Sequence, residues 1–406
     1  AGMTAAVALA RAGRMVHLVE KEPELGGNAR RFHGEIEAGD VPSYLARLIG
    51  EVESEEKIRV YRRAALAKVG GRIGDFLSEI ALPSGETARV EHGVILVATG
   101  AAEAFPPVYG LNENPDVVTA RQFEHMLFVS HPALKRARRI VFIGCAGQRE
   151  EKRPSCSRLC CDQALKNAIA FKKESRKREV YFLYRDIRAY GQKELRYAEA
   201  RDRGVNFIRF PASRPPRVER DGEDTLVAVF DPILGTEVRV RADLVVLSTP
   251  IVGPEENRVL AKLLKVPLDA ENFFLEAHVK LRPVDFASDG IFLCGLAHGP
   301  KTLVESVVQA RAAAGRAMTV LTQKAIDGVA TIAAVNQSRC VGCGICVAAC
   351  PYQAVALDEE KGVAVVDGAL CKGCGTCAAA CFSGAIDLKG FSHEQIGAAL
   401  EALAAD

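Results

Sequence analysis

Apolar residues run along the chain in two rhythms. The stretch from Ala1 to Ala10 is alanine-rich and uncharged and leads into Arg11, which predicts a core helix over Met3–Ala12. Met15–Val19 then predicts a buried strand, closed by the acidic Glu20. Short apolar runs without polar alternation recur at Val94–Ala98, after Arg139, at Val180–Tyr184 and after Gly290, and these read as strands buried on both faces. Three of them end on glycine, in Thr99-Gly100, Gly144 and Gly295. Thr302 followed by Glu305 predicts a capping box, with Ser306–Leu321 as its helix, and Ser392–Ala404 predicts a C-terminal helix. Strands alternating with helices make the fold class α/β.

Composition narrows the reading. The chain has 406 residues, 49% of them hydrophobic and 26% charged, enough for several domains with real cores. A formal charge of +2 lacks the basic excess that gripping nucleic acid phosphates requires, so no nucleic acid partner is expected. No apolar run approaches the roughly 18 residues of a membrane span, and the opening alanines lack the basic flank of a signal peptide. A cytoplasmic protein is expected. Thirteen cysteines stand out: four between 145 and 161, Cys294 alone, and eight between 340 and 381. Clusters of this kind in a long chain point to metal in a reducing compartment rather than to disulfides.

Cys340, Cys343, Cys346 and Cys350 follow the spacing C-x2-C-x2-C-x3-C, with Pro351 next, and Cys371, Cys374, Cys377 and Cys381 repeat it. Gly342, Gly344, Ala348, Ala349 and Leu357 recur at the matching places, so the segment reads as a duplication. This is the bacterial two-cluster ferredoxin pattern, in which the fourth cysteine ligates the other cluster. One 4Fe-4S cluster would use Cys340, Cys343, Cys346 and Cys381, the other Cys371, Cys374, Cys377 and Cys350. Phe382 replaces the usual second proline, which alters a turn and no ligand. A zinc site would want four thiolates around one ion and fits eight in this register less well.

At the other end stands the tail of a dinucleotide fingerprint. Gly2 would be its third glycine, opening the helix, and Glu20 the acid that binds ribose; the first strand and two glycines are expected before residue 1. The turn of Glu22, Pro23, Gly26 and Gly27, the strand ending in Thr99 and Gly100, and the strand ending at Gly295 come in the order of the two-dinucleotide-binding flavoprotein reductases, which they resemble. That resemblance implies a thioredoxin-reductase-like core around FAD. Such reductases carry Asp after the last glycine, whereas this chain has Leu296.

Where those reductases begin their nicotinamide domain, the strand after Arg139 runs into Gly144, but Ala146 and Arg149 replace the second and third glycines. Neither lets a pyrophosphate approach or a helix pack as the fingerprint requires. Cys145, Cys156, Cys160 and Cys161 stand there instead, and their spacing alone leaves a cluster, a zinc site and structural thiols open. Gly144–Arg149, Cys156–Cys161, Lys166, Tyr184–Gly191 and Gly295–Lys301 resemble the flavin-containing A subunits of heterodisulfide reductases. The resemblance implies a third 4Fe-4S cluster on those four cysteines in place of the nicotinamide, and Lys166 facing the isoalloxazine ring as the catalytic residue. Methanogen members of that family carry an extra N-terminal domain and an inserted ferredoxin module; between Gly27 and Val94 this chain has no cysteine.

The expected division is an FAD domain over 1–124 and 251–327, an inserted dinucleotide-like domain over 125–250 carrying an iron–sulfur site, a small α+β ferredoxin domain over 328–390 entered through Asp327-Gly328, and a helix over 391–406. The expected role is an electron-transfer subunit of a heterodisulfide-reductase-like complex, splitting or relaying electrons between a two-electron donor and one-electron carriers, by flavin-based bifurcation in the family's manner. Its partners would be sister subunits in an oligomer, a hydrogenase or dehydrogenase donor, and ferredoxin. Two rivals remain: an NAD(P)H-dependent reductase with a fused ferredoxin, and a non-catalytic wiring subunit of a quinone-linked complex. Cys294 reads as core packing, His298 as a residue of the flavin-facing loop or equally an ordinary loop histidine, Asp186 and Arg188 as an ion pair, and the basic runs at 135–139 and 172–178 as solvated faces or a docking surface for an acidic partner.

Overall fold

The computed structural model describes residues 1–33, 35–36, 39–222, 224–325, 331–368 and 370–404. Helix α1 (Gly2–Arg11) turns Ala5, Ala6, Leu9 and Ala10 inward, and Gly13, at φ +83, reverses the chain into strand β1 (Val16–Glu20). After helix α2 (Val41–Ser54), whose first turn is capped by Asp40 accepting from the Ser43 N–H, strand β2 (Ile58–Arg62) lies parallel to β1 with Ile58 opposite Val16. A three-stranded antiparallel meander comes next, β3 (Ala65–Arg72), β4 (Asp75–Ala81) and β5 (Thr87–His92), and then the short strand β6 (Ile95–Val97).

The chain next crosses into a second unit through an antiparallel ribbon of Ala102–Glu103 with Ile251–Val252. Strand β7 (Val117–Thr119) leads into α3 (Ala120–Phe128), then β8 (Arg139–Ile143), α4 (Cys160–Lys173), β9 (Glu179–Tyr184), α5 (Lys193–Asp202) and β10 (Val205–Arg209). A second meander, β11 (Arg217–Asp221), β12 (Asp224–Asp231) and β13 (Thr236–Ala242), returns the chain to β14 (Leu244–Leu247). The parallel sheet runs β7-β14-β8-β9-β10. Ile140, Val141, Phe142 and Ile143 are all fully buried, as a central parallel strand covered on both faces demands. Residues 117–124, assigned to the FAD part from sequence, therefore belong with the inserted sheet. The sequence hid this because β7 is three residues long and its partner, β14, lies more than a hundred residues away.

The first unit is completed from afar. After helix α6 (Asn257–Leu264), strand β15 (Ile291–Leu293) pairs in parallel with β6, Ile291 opposite Ile95, and helix α7 (Leu303–Leu321) lies against α1. Ala5 and Leu9 meet Ala310, Ala313, Ala314 and Ala317, small residues that let the two helices approach closely. The capping box at Thr302 and Glu305 is present, and the helix begins three residues earlier than the sequence suggested. The Asp327-Gly328 linker lies outside the described residues.

In the C-terminal unit the duplication is legible in the backbone. Strand β16 (Ala333–Val335) pairs with β19 (Ile386–Leu388) and β17 (Val355–Asp358) with β18 (Val363–Val366), while α8 (Ile345–Ala349) and α9 (Thr376–Ala379) occupy matching places. Gly342 and Gly373 sit at φ +64 and +62, and Gly344 and Gly375 at +75 and +80. Helix α10 (His393–Ala404) closes the chain, with Ser392 and Gln395 exchanging backbone and side-chain hydrogen bonds at its start.

Because α1 and α7 meet through alanines, Ala313→Leu should overfill that contact and cost about 1–3 kcal/mol. A lowered urea midpoint with an unchanged slope checks this; an unchanged midpoint would mean the two helices are not packed as described.

Candidate functional site

A long cleft opens at the carboxyl ends of β1, β6 and β15, the place where open α/β sheets bind ligands. Gly2, Glu20, Gly26, Gly27, Thr99 and Gly100 all line it. Gly26 and Gly100 adopt φ +120 and +78, conformations that side chains resist, and at Gly26 a Cβ would press on Arg30 and Leu45. The Glu20 carboxylate accepts the Glu22 N–H at 3.0 Å, which fixes it at the strand end. Thr99 donates its hydroxyl proton to Asn257 Oδ1 at 2.9 Å, and buried Asn257 donates in turn to the Asn272 carbonyl. Gly295 does not line the cleft. Its N–H donates to Gln309 Oε1, its α-carbon faces the Ala1 side chain too closely for a Cβ, and Leu296 reaches the cleft instead. Its place is thus in packing α1 against α7, a correction to the sequence reading.

Across the cleft stand the four cysteines that precede and open α4. A dinucleotide-binding strand normally turns straight into its helix. Here β8 ends at Ile143, the chain wanders through residues 144–159, and α4 begins on Cys160 and Cys161. Cys145 takes φ +59 at the strand end, a left-handed conformation rare outside glycine. The four side chains lie within electrostatic reach of one another: Cys145 feels Cys161 and Cys156, and Cys160 feels all three of the others. A hydrogen bond from Cys160 lowers the Cys161 pKa to about 7, helped by Arg188 and Arg149, and correspondingly holds the Cys160 proton on. Burial raises Cys145.

Donors surround the sulfurs. Gln148 Nε2 lies 3.5 Å from Cys160 Sγ, the Arg158 N–H 3.3 Å from Cys156 Sγ, and the Arg149 guanidinium 3.9 Å from Cys145 Sγ. Arg149, in sequence only a glycine lost from a fingerprint, also pairs with Asp186 at 2.6 Å. Asp186 pairs with Arg188 as expected, at the longer distance of 4.0 Å. Cys160 and Lys166 line the same cleft as Gly2 and Thr99, so the cysteine wall adjoins the dinucleotide cleft.

Lys166 is not a free cation. Its ammonium donates to Glu124 Oε1 at 2.7 Å and to the His33 carbonyl at 3.2 Å. Buried Glu124 also accepts from the His33 N–H and from Gln163 Nε2, so every bond it makes fixes Lys166 or its surroundings. Sequence reading missed Glu124, an acid on the inward face of α3 with no motif around it. Cys294 is fully buried, and burial pushes its thiol to about 11, as a packing residue requires. His298 is more ordered than a plain loop residue, held between Glu276 and Gln309 at 2.7 and 2.8 Å.

In the C-terminal unit, Cys350, Cys371, Cys374 and Cys377 line one cavity, a set that crosses between the two repeats. Backbone N–H groups reach sulfur in symmetry-related pairs: Ala354 to Cys350 and Ala385 to Cys381, Ala364 to Cys340 and Ala333 to Cys371. Phe382, at the second proline position, is 72% exposed.

Known proteins agree with this arrangement. Residues 339–385 match the 4Fe-4S dicluster domain and residues 1–61 the NAD(P)-binding Rossmann-like domain. The thioredoxin reductase of T. acidophilum superposes with a TM-score of 0.57 over 79% of this chain and 95% of its own, at 14% identity, and that of Lactococcus lactis with 0.53 at 17%. The A subunit of the H(2):CoB-CoM heterodisulfide,ferredoxin reductase of Methanothermobacter marburgensis is 39% identical over 78% of this chain, which spans half of that relative. The second iron-sulfur A subunit of the CoB–CoM heterodisulfide reductase of Methanopyrus kandleri is 32% identical over 89% of this chain and 69% of its own length. The core has the thioredoxin-reductase-like fold with a Rossmann-like dinucleotide-binding domain, and the C-terminal domain is a 4Fe-4S dicluster domain. This chain belongs to the family of heterodisulfide reductase A subunits.

Proposed function

We propose that the chain is the flavin and iron–sulfur subunit of a heterodisulfide-reductase-like complex, with a third 4Fe-4S cluster held by Cys145, Cys156, Cys160 and Cys161 beside the FAD. The observation that carries this is the gathering of four thiols at the point where a nicotinamide fingerprint would stand, with Cys160 on the wall of the cleft. FAD, when bound, exchanges electrons in pairs and each cluster exchanges them singly, so the chain relays or splits pairs between unlike carriers. Its partners are sister subunits, a hydrogenase or dehydrogenase that donates electrons, and ferredoxin.

The chain's own residues fit those groups. Gly2, Gly26, Gly27 and Gly100 leave room for a dinucleotide backbone, Glu20 sits where ribose hydroxyls need an acceptor, and Thr99 presents its backbone beside them. At the cysteine wall, the positive end of α4 and the lowered pKa of Cys161 favour a thiolate at Cys161, the form that binds metal. N–H donors to Cys145, Cys156 and Cys160 take up part of the sulfur charge, as those to Cys340, Cys350, Cys371 and Cys381 do in the ferredoxin domain. Among the described residues no three His, Cys, Asp or Glu side chains crowd around the position of a single ion, as a zinc site would ask. The dicluster cysteines do not either, because a four-iron cage takes one thiolate at each corner. In that domain Cys340, Cys343, Cys346 and Cys381 would hold one cluster, and Cys350, Cys371, Cys374 and Cys377 the other.

Lys166 has three N–H donors and spends two on Glu124 and His33, which leaves one for a ligand in the cleft. It would hold the flavin edge by charge and hydrogen bonding, with Glu124 setting its position. No helix among the described residues is long and apolar enough to cross a membrane.

Cys160→Ser should lower iron from roughly twelve to roughly eight per chain while sparing the ferredoxin-domain signals in electron paramagnetic resonance; unchanged iron would remove the third cluster. Lys166→Gln should lower the flavin midpoint potential, Glu124→Gln raise it, and the double variant return close to the parent, because the paired charges offset each other. Shifts of one sign in both single variants, read by spectroelectrochemical titration, would show that the pair does not face the flavin.

A further inference from the structure

Arg158, between Cys156 and Cys160, ties three pieces of chain into one knot. Its Nη1 donates to the Tyr190 hydroxyl at 2.7 Å, its Nε to the Pro300 carbonyl at 3.0 Å, and its Nη2 to Glu305 Oε2 at 2.9 Å. Glu305 also accepts the Thr302 N–H, on the same Oε2, as the third residue of the α7 capping box.

Two lysines stand beside the knot with no hydrogen bond or ion pair of their own among the described residues. Lys193, the first residue of α5, is only 8% exposed; its ammonium lies 5.0 Å from the Tyr190 ring centre and makes no hydrogen bond or ion pair among the described residues. Lys301, just before α7, likewise makes none, and burial together with nearby Arg158 pushes its pKa down to about 8, against the opposing pull of Glu305 and Glu276. Both line the cleft that Cys160 and Lys166 line. The N-terminal ends of α5 and α7 add partial positive charge at the same wall.

A buried ammonium without a hydrogen-bonded counter-charge is costly, and here buried Lys193 and half-buried Lys301 flank the Arg158 guanidinium with the carboxylates of Glu305 and Glu276 near enough to offset them in part. The pyrophosphate of FAD, the strongly anionic part of that cofactor, is expected at the other glycine-lined wall, on the N-terminus of α1. We propose that Arg158, Lys193 and Lys301 form a seat for a second oxyanion: the phosphate or carboxylate group of a small ligand that enters the cleft alongside FAD, next to Cys160. The seat is a property of this chain and does not depend on which electron donor or acceptor the complex uses.

The test is made on the full FAD-bound chain by isothermal titration calorimetry at constant ionic strength, with inorganic phosphate in one arm and malonate in the other. Saturable binding is expected, and the anion that binds tighter tells whether the natural ligand carries phosphate or carboxylate. Lys193→Gln and Lys301→Gln should each weaken it by about tenfold, Lys193→Arg should restore most of it, and Arg136→Gln, exposed and outside the cleft lining, should change nothing. Absence of saturable binding by either anion, or equal affinity in both glutamine variants, would overturn the proposal. So would loss of flavin from those variants with anion binding intact, which would assign the lysines to FAD itself.

Discussion

A helix N-terminus placed against sulfur is the constraint on which the rest of the structure depends. The sheet ordered β7-β14-β8-β9-β10 delivers β8 to the mouth of the cleft as a fully buried strand, and the segment after it must either meet a ligand or fill the mouth. In a dinucleotide fold, glycines at this turn let backbone N–H groups and the helix dipole meet a pyrophosphate. Here Cys145 takes the left-handed turn, sixteen irregular residues intervene, and the positive end of α4 carries Cys160 and Cys161. The same field that would attract phosphate oxygens favours thiolates.

That exchange explains the neighbours. Gln148 can reach Cys160 because it also holds the Ser157 N–H and the Ser248 carbonyl, pinning the loop on both sides. Arg149 is held by Asp186 while its own carbonyl takes a hydrogen bond from Arg185 at 2.6 Å. Arg158 fastens the end of the loop to the capped start of α7. A loop this long, dressed with so many charged contacts, would be expensive to order for packing alone. On the opposite wall, α1 and α7 are drawn together through alanines and through Gly295, which sets the glycine-lined side of the cleft at a fixed distance.

Much of this was legible in the sequence because the signals are local. The ferredoxin cysteines, the glycines at 342, 344, 373 and 375, the Thr302–Glu305 capping box and the buried run of β8 each declare themselves within a few residues. The illegible parts depend on contacts between distant segments. Strand β7 is known only by its partner β14, Glu124 by the Lys166 ammonium it grips, and Lys193 by the Tyr190 ring it lies over. Gly295 misled for the opposite reason: a glycine after a strand is a strong ligand signal, yet here its small size serves the close approach of Ala1.

The central claim is that an iron–sulfur cluster occupies the nicotinamide position. Anomalous diffraction at the iron absorption edge, on anaerobically grown crystals of the full chain, tests it most directly. Three compact iron peaks are predicted, one of them enclosed by the sulfurs of Cys145, Cys156, Cys160 and Cys161 beside the flavin. Two peaks confined to the ferredoxin domain, or a single zinc-edge peak among those four sulfurs, would contradict it.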